Sequence, residues 1–248
     1  MVVIDRLTTN GHALFLAYDQ GLEHGPVEFN DDTVDPSVIL KIAKEGGFNA
    51  VILQKGIAEK YMTPDLEIPL ILKLNGKTNL SHEEPFSPLI CTVDEAVKLG
   101  ASAVGYTVYV GSERQGEMLE TFGTIIREAH AQDLPVIGWM YPRGRSVGEE
   151  TTDVTAYAAR VGLEVGADIV KVKYHPNVEA LKHIVASAGK TKVVFSGGSH
   201  VPEEEFLTMV RNVKESGALG MAVGRNIWQS DDPLEMARKA KKILFDLS

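Results

Sequence analysis

The chain has 248 residues, 44% of them hydrophobic and 24% charged, and a net charge of −9. That length suits one (βα)8 barrel, which typically takes about 250 residues, and the composition supports a sizeable core. The acidic balance, with no more than two lysines or arginines in succession and no apolar run near the roughly 20 residues of a membrane span, argues against nucleic-acid and membrane partners.

In chain order, eight runs have strand character: 13–18, 50–54, 69–74, 103–109, 135–141, 168–174, 192–196 and 219–223. Helical spacing marks the segments 36–45, 93–99, 116–130, 151–165, 178–188, 202–216 and 233–245, and the second connection allows only a short helix over 57–62. Asp35, Thr92 and Asp232 stand where N-caps belong. A faint repeat supports the count. Four times a helix runs into glycine and then an apolar strand, at Gly47, Gly100, Gly166 and Gly217, before strands two, four, six and eight. Glycine is favoured just past a helix C-terminus, where φ is positive. Alternating helices with near-continuous apolar strands form a parallel sheet covered by helices. Eight such units predict an α/β fold, a single (βα)8 TIM barrel in one domain over residues 1–248.

Catalytic groups in such barrels sit at the C-terminal strand ends. Strand six, Asp168-Ile169-Val170-Lys171-Val172-Lys173-Tyr174, puts Ile169, Lys171 and Lys173 on one face. Burying two ammonium groups side by side is expensive unless carboxylates match them, and a neutral amine wanted as a nucleophile offers a reason. Strand one ends in Tyr18-Asp19-Gln20-Gly21, followed by Glu23 and His24. Strand five presents Trp139 and Tyr141 and then Arg143, while strands two and three offer Lys55, Lys73, Asn75 and Lys77. Each has a plainer reading. Asp19 can cap a loop, the aromatics can cover the barrel mouth, and Lys55, Lys73 and Lys77 can be surface or salt-bridge lysines.

Ser196-Gly197-Gly198 follows strand seven, and Gly224-Arg225-Asn226 follows strand eight. Glycine lets backbone N–H groups approach an anion, and many barrels hold a phosphate after these two strands. A phosphorylated small molecule is the expected substrate. No His-x-x-x-His pair or strand-end cluster suggests a metal, and no dinucleotide fingerprint follows strand one. The first ten residues, with Asp5 and Arg6, contain no apolar segment of signal-peptide length, and Cys91 is the one cysteine. A cytoplasmic location is the expectation.

Tyr18-Asp19-Gln20-Gly21-Leu22-Glu23-His24-Gly25-Pro26, Trp139-Met140-Tyr141-Pro142-Arg143-Gly144, the lysine strand, Ser196-Gly197-Gly198 and Val223-Gly224-Arg225-Asn226 together resemble the archaeal-type class I fructose-bisphosphate aldolases. The resemblance runs over essentially the whole chain. It implies a metal-independent enzyme with no cofactor, acting through a Schiff base on Lys171, with Tyr141 as proton donor and acceptor. By the same resemblance Trp139 shapes the pocket and Asp19 assists at sugar hydroxyls or the carbinolamine. Lys173, two residues on and on the same face, is expected to lower the Lys171 pKa by like-charge repulsion. Gln20, His24, Arg143, Ser196, Gly197, Gly198, Gly224 and Arg225 are the further substrate-binding candidates. Gln20 stands where many members have histidine. A large homo-oligomer is also implied. Two alternatives stay open: a related aldolase-like transfer making an aminoshikimate-pathway precursor, and a phosphosugar-binding barrel without chemistry.

Overall fold

A computed structural model describes residues 3–247. Eight strands alternate with helices: β1 (Ala13–Ala17), α1 (Gly21–His24), α2 (Pro36–Glu45), β2 (Ala50–Gln54), α3 (Lys55–Tyr61), β3 (Leu70–Lys73), α4 (Val93–Lys98), β4 (Ala103–Val110), α5 (Gln115–His130), β5 (Val136–Pro142), α6 (Thr152–Val165), β6 (Ile169–Lys173), α7 (Val178–Ser187), β7 (Lys192–Ser196), α8 (Glu203–Glu215), β8 (Gly220–Val223), α9 (Arg225–Trp228) and α10 (Pro233–Leu244). Every strand pairs in parallel with its chain neighbours, and β8 returns to β1, closing the barrel. The fold is the α/β barrel that the periodicity predicts.

Two core layers follow from strand alternation. Ala13, Phe15, Ile52, Ile71, Ile137, Trp139, Ile169, Val194 and Ala222 point into the barrel and pack on one another. The residues between them, such as Leu14, Leu16, Val51, Leu53, Val170 and Val172, point outward and meet the helices in a larger cluster. Lys171 shares the face of Ile169, so the register that buries the inner layer also carries its amine inward.

The helix ends agree with the sequence. Asp35 accepts from the Ser37 backbone N–H at 2.9 Å, Asp232 accepts from Glu235 N–H at 2.9 Å, and Thr92 forms a capping box with Glu95. Gly47, Gly100, Gly166 and Gly217 all have positive φ, at 62°, 72°, 106° and 77°. Each strand end lies within one residue of its predicted position, and α3 begins two residues earlier than the periodicity indicates, at Lys55. The four-residue helices α1 and α9 go unpredicted, because one turn is too short to show a 3.6-residue period.

Candidate active site

At the C-terminal mouth of the barrel a cavity of about 310 Å³ gathers residues from the ends of nearly every strand. Its floor is aromatic and cationic. Trp139 is 2% exposed, and its ring lies 4.9 Å from the Lys171 Nζ and 5.2 Å from the Lys73 Nζ, measured to the ring centroid. The Trp139 Nε1 is buried without a hydrogen-bond partner. Room for the indole comes from the neighbouring strand. A Cβ on Gly105 would meet the ring at 2.2 Å, so only glycine leaves that space.

Lys171 is 6% exposed, and among the described residues no carboxylate lies within ion-pair distance of its Nζ. Burial pushes its pKa down, while the charges of Asp19 and Glu23 work in the opposite direction. Tyr141, two residues beyond Trp139, also lines the cavity. Burial raises its phenol pKa, Asp19 adds to the rise, and Arg143 opposes it. The proton therefore stays on Tyr141 in the free protein.

Lys173 departs from the sequence expectation. Its ammonium is paired with Glu150, from the loop between β5 and α6, and its side chain is 41% exposed. The alternation is as predicted, but the last position of β6 lies at the rim, where a carboxylate reaches it. Paired with Glu150 at the rim, Lys173 brings no unmatched charge to the Lys171 amine. Lys73 is the lysine that lies on the floor beside Trp139. At 4% exposure its pKa is pushed down to about 8, by burial first, with Asp19 opposing and the Lys171 charge contributing. Sequence reasoning offered it as a surface or salt-bridge lysine, although it shares a face with Ile71 as Lys171 does with Ile169.

Lys55 fits the salt-bridge reading, since it pairs with Glu95 and with Glu59 at 3.7 Å, away from the cavity. Lys77 lines the cavity rim and donates to Asn79 at 3.0 Å. Asn75 is fully buried and structural: its amide donates to the Ser87 and Thr107 carbonyls and accepts from Thr107 N–H. Arg143 joins β5 to α1 through Glu23, at 2.7 Å, and its guanidinium lies over Tyr109 and Tyr141 at 5.4 and 5.9 Å from the ring centroids.

The two glycine loops, beside β6, line the same cavity and contribute Ser196, Gly197, Gly198, Gly224 and Arg225. Asn226, 1% exposed, clamps them together. Its side chain donates to the Gly197 carbonyl at 2.7 Å and the Ser199 carbonyl at 3.1 Å, and accepts from Val201 N–H at 2.9 Å. Arg225 is held by Glu28 at 2.5 Å, and Glu28 also lies 3.2 Å from His24. Asp19, Gln20 and His24 enter the same cavity from the β1 end. Every catalytic and substrate-binding residue named from the resemblance thus lines this one cavity, while Lys55 and Asn75 do not. Glu28, Glu150, Gly105 and the clamp role of Asn226 were missed. Carboxylate partners come from loops whose folding leaves no periodic signal.

Residues 13–230 match the profile of the DeoC/LacD family aldolases. The fructose-bisphosphate aldolase class 1 of Thermoproteus tenax is 50% identical over 95% of this chain and 90% of its own length. A solved archaeal fructose-1,6-bisphosphate aldolase, with its catalytic Lys covalently bound to the carbinolamine intermediate of the substrate, is 47% identical, superimposes with a TM-score of 0.93, and is matched over 98% of each chain. The 2-amino-3,7-dideoxy-D-threo-hept-6-ulosonate synthase 1 of Archaeoglobus fulgidus is 34% identical over 97% of this chain and 89% of its own. The chain belongs to the DeoC/LacD family of aldolases, within the archaeal-type class I fructose-bisphosphate group.

Proposed function

We propose that this protein is a class I fructose-bisphosphate aldolase, reversibly cleaving fructose 1,6-bisphosphate to dihydroxyacetone phosphate and glyceraldehyde 3-phosphate through a Schiff base on Lys171. One observation carries the reading: the Lys171 amine lies on a buried floor without a carboxylate partner among the described residues, in the cavity that also takes in Tyr141 and two clamped glycine loops. An amine in that setting gives up its proton more readily than one in water, which a nucleophile requires.

The steps follow from that arrangement. Neutral Lys171 adds to the substrate ketone, giving a carbinolamine whose hydroxyl leaves as water to form an iminium. The iminium takes up the electron pair of the C3–C4 bond, the C4 hydroxyl passes its proton to the Asp19 carboxylate in the same cavity, and glyceraldehyde 3-phosphate departs, leaving an enamine. Tyr141, holding its proton, delivers it to C3. Water then hydrolyses the iminium and releases dihydroxyacetone phosphate. The glycine loops of β7 and β8 hold a phosphate through backbone N–H groups, with Arg225 at their edge. Asp19 serves the hydroxyls and the carbinolamine, while Gln20, His24 and Arg143 form the rim that meets the rest of the sugar.

A release assay for triose phosphates from fructose 1,6-bisphosphate, run in chelator, tests this directly. The unaltered protein is expected to be active and Lys171→Met to lose at least roughly 10³-fold in turnover. An inactive unaltered protein would favour the heptulosonate-type transfer or a binding barrel instead. Family resemblance supports one barrel domain, a large homo-oligomer in the cytoplasm and a place in glycolysis or gluconeogenesis; sedimentation and cell fractionation check the assembly and the compartment.

A further inference from the structure

Glu28 closes the turn that follows α1 and stands outside the cavity lining, yet its carboxylate reaches two side chains within it. One oxygen accepts from the Arg225 Nη1 at 2.5 Å, and the other, buried, lies 3.2 Å from the His24 Nδ1. The Glu28 and Arg225 side chains are each 21% exposed, and the two residues are 197 positions apart in the chain. Among the described residues no other carboxylate comes within 4.0 Å of Arg225, and its guanidinium makes no second hydrogen bond.

The fold does not need that carboxylate to join the loops after β1 and β8. The Glu28 backbone carbonyl already accepts from the Gln229 Nε2 at 2.7 Å, just past α9. Next to it Phe29 packs on Trp228 and Tyr18, with ring centroids 5.5 and 5.0 Å apart, and the Trp228 Nε1 donates to the Ala17 carbonyl. Asn226 ties the start of α9 to the loop after β7. Backbone and aromatic contacts thus fix α9, and what the carboxylate adds is the aim of one side chain. A partly exposed ion pair contributes little to stability. Its consequence lies in where it sends the guanidinium, along the cavity wall with Gly197, Gly198 and Gly224. An unheld arginine samples many rotamers, and a partner that keeps it in the productive one lowers the ordering cost of binding.

We propose that Glu28 is a positioning residue for the substrate phosphate: it holds the Arg225 guanidinium, with His24 beside it, in the cavity before the phosphate arrives. The inference rests on the reading of the two glycine loops as the phosphate site. β7 pairs with β6, so those loops meet a phosphate carried next to the carbonyl that Lys171 attacks. The negative charge of Glu28 does not cancel the benefit. Arg225 lies in the cavity lining and Glu28 outside it, so the phosphate meets the guanidinium first.

The test compares covalent labelling of Lys171, in cyanoborohydride, by dihydroxyacetone phosphate and by dihydroxyacetone, which lacks the phosphate. In the unaltered protein the phosphorylated probe reaches half-saturation at the lower concentration. Glu28→Ala is expected to raise that concentration roughly tenfold, while the labelling rate at saturation and the rate with dihydroxyacetone stay within about twofold. Glu28→Gln keeps an acceptor without the charge and falls between Glu28→Ala and the unaltered protein. If Glu28→Ala fails to fold by circular dichroism, Glu28→Gln carries the comparison. Equal losses with both probes, tighter use of the phosphorylated one, or no change in the variants would overturn the role of Glu28. No preference for the phosphorylated probe in the unaltered protein would instead overturn the phosphate reading beneath it, and the proposal with it.

Discussion

Lys171 and Lys173 leave the same strand on the same face, yet one is 6% exposed without a carboxylate and the other is 41% exposed against Glu150. Two residues along a strand is about 7 Å, enough to pass from floor to rim. Alternation in the sequence reveals the shared face but not the depth, which depends on where β6 ends. The same limit hid Lys73, whose face was legible and whose burial was not. Tyr141 shows what environment adds to identity: burial first, and then the nearby Asp19, keep its proton in place. A proton donor removed from a covalent aldolase slows turnover without preventing imine formation. Tyr141→Phe is expected to lower kcat by roughly 10²- to 10³-fold while still being labelled at Lys171. Loss of labelling in that variant would instead place Tyr141 before the iminium.

At the scale of elements, the site is assembled by contacts between strands that are distant in sequence. β4 contributes an absence, since Gly105 clears the volume that Trp139 of β5 fills between the lysines of β3 and β6. Gly105→Ala would press a methyl group onto the indole, with an expected cost of about 1–3 kcal/mol in unfolding free energy and a shift of Trp139 visible in its fluorescence. An unchanged emission spectrum with unchanged stability would contradict this packing. Asn226, just after β8, ties that loop to the one after β7 through three hydrogen bonds. The glycines of these loops were legible as an anion site because strand number fixes their place in the barrel. The clamp was not, because an asparagine after Gly-Arg reads equally well as an ordinary turn residue.

Over the whole molecule, the repeat of helix, glycine and apolar strand was enough to count eight units and to predict closure, because each unit buries its strand on both faces. The four positive-φ glycines at helix ends confirm the physical reason for that repeat. What the count could not supply is the pairing of charges across loops, and those pairings decide which polar side chains are free. Lys55, Lys173, Arg143 and Arg225 each have a carboxylate, whereas Lys171 and Lys73 at the floor have none within 4.0 Å among the described residues. The account comes down to a free amine at position 171. Reduction of the adduct formed with dihydroxyacetone phosphate, followed by peptide mass mapping, addresses it most directly: the account predicts one stoichiometric label on Lys171, and a label on Lys73 or Lys173, or none at all, would contradict it.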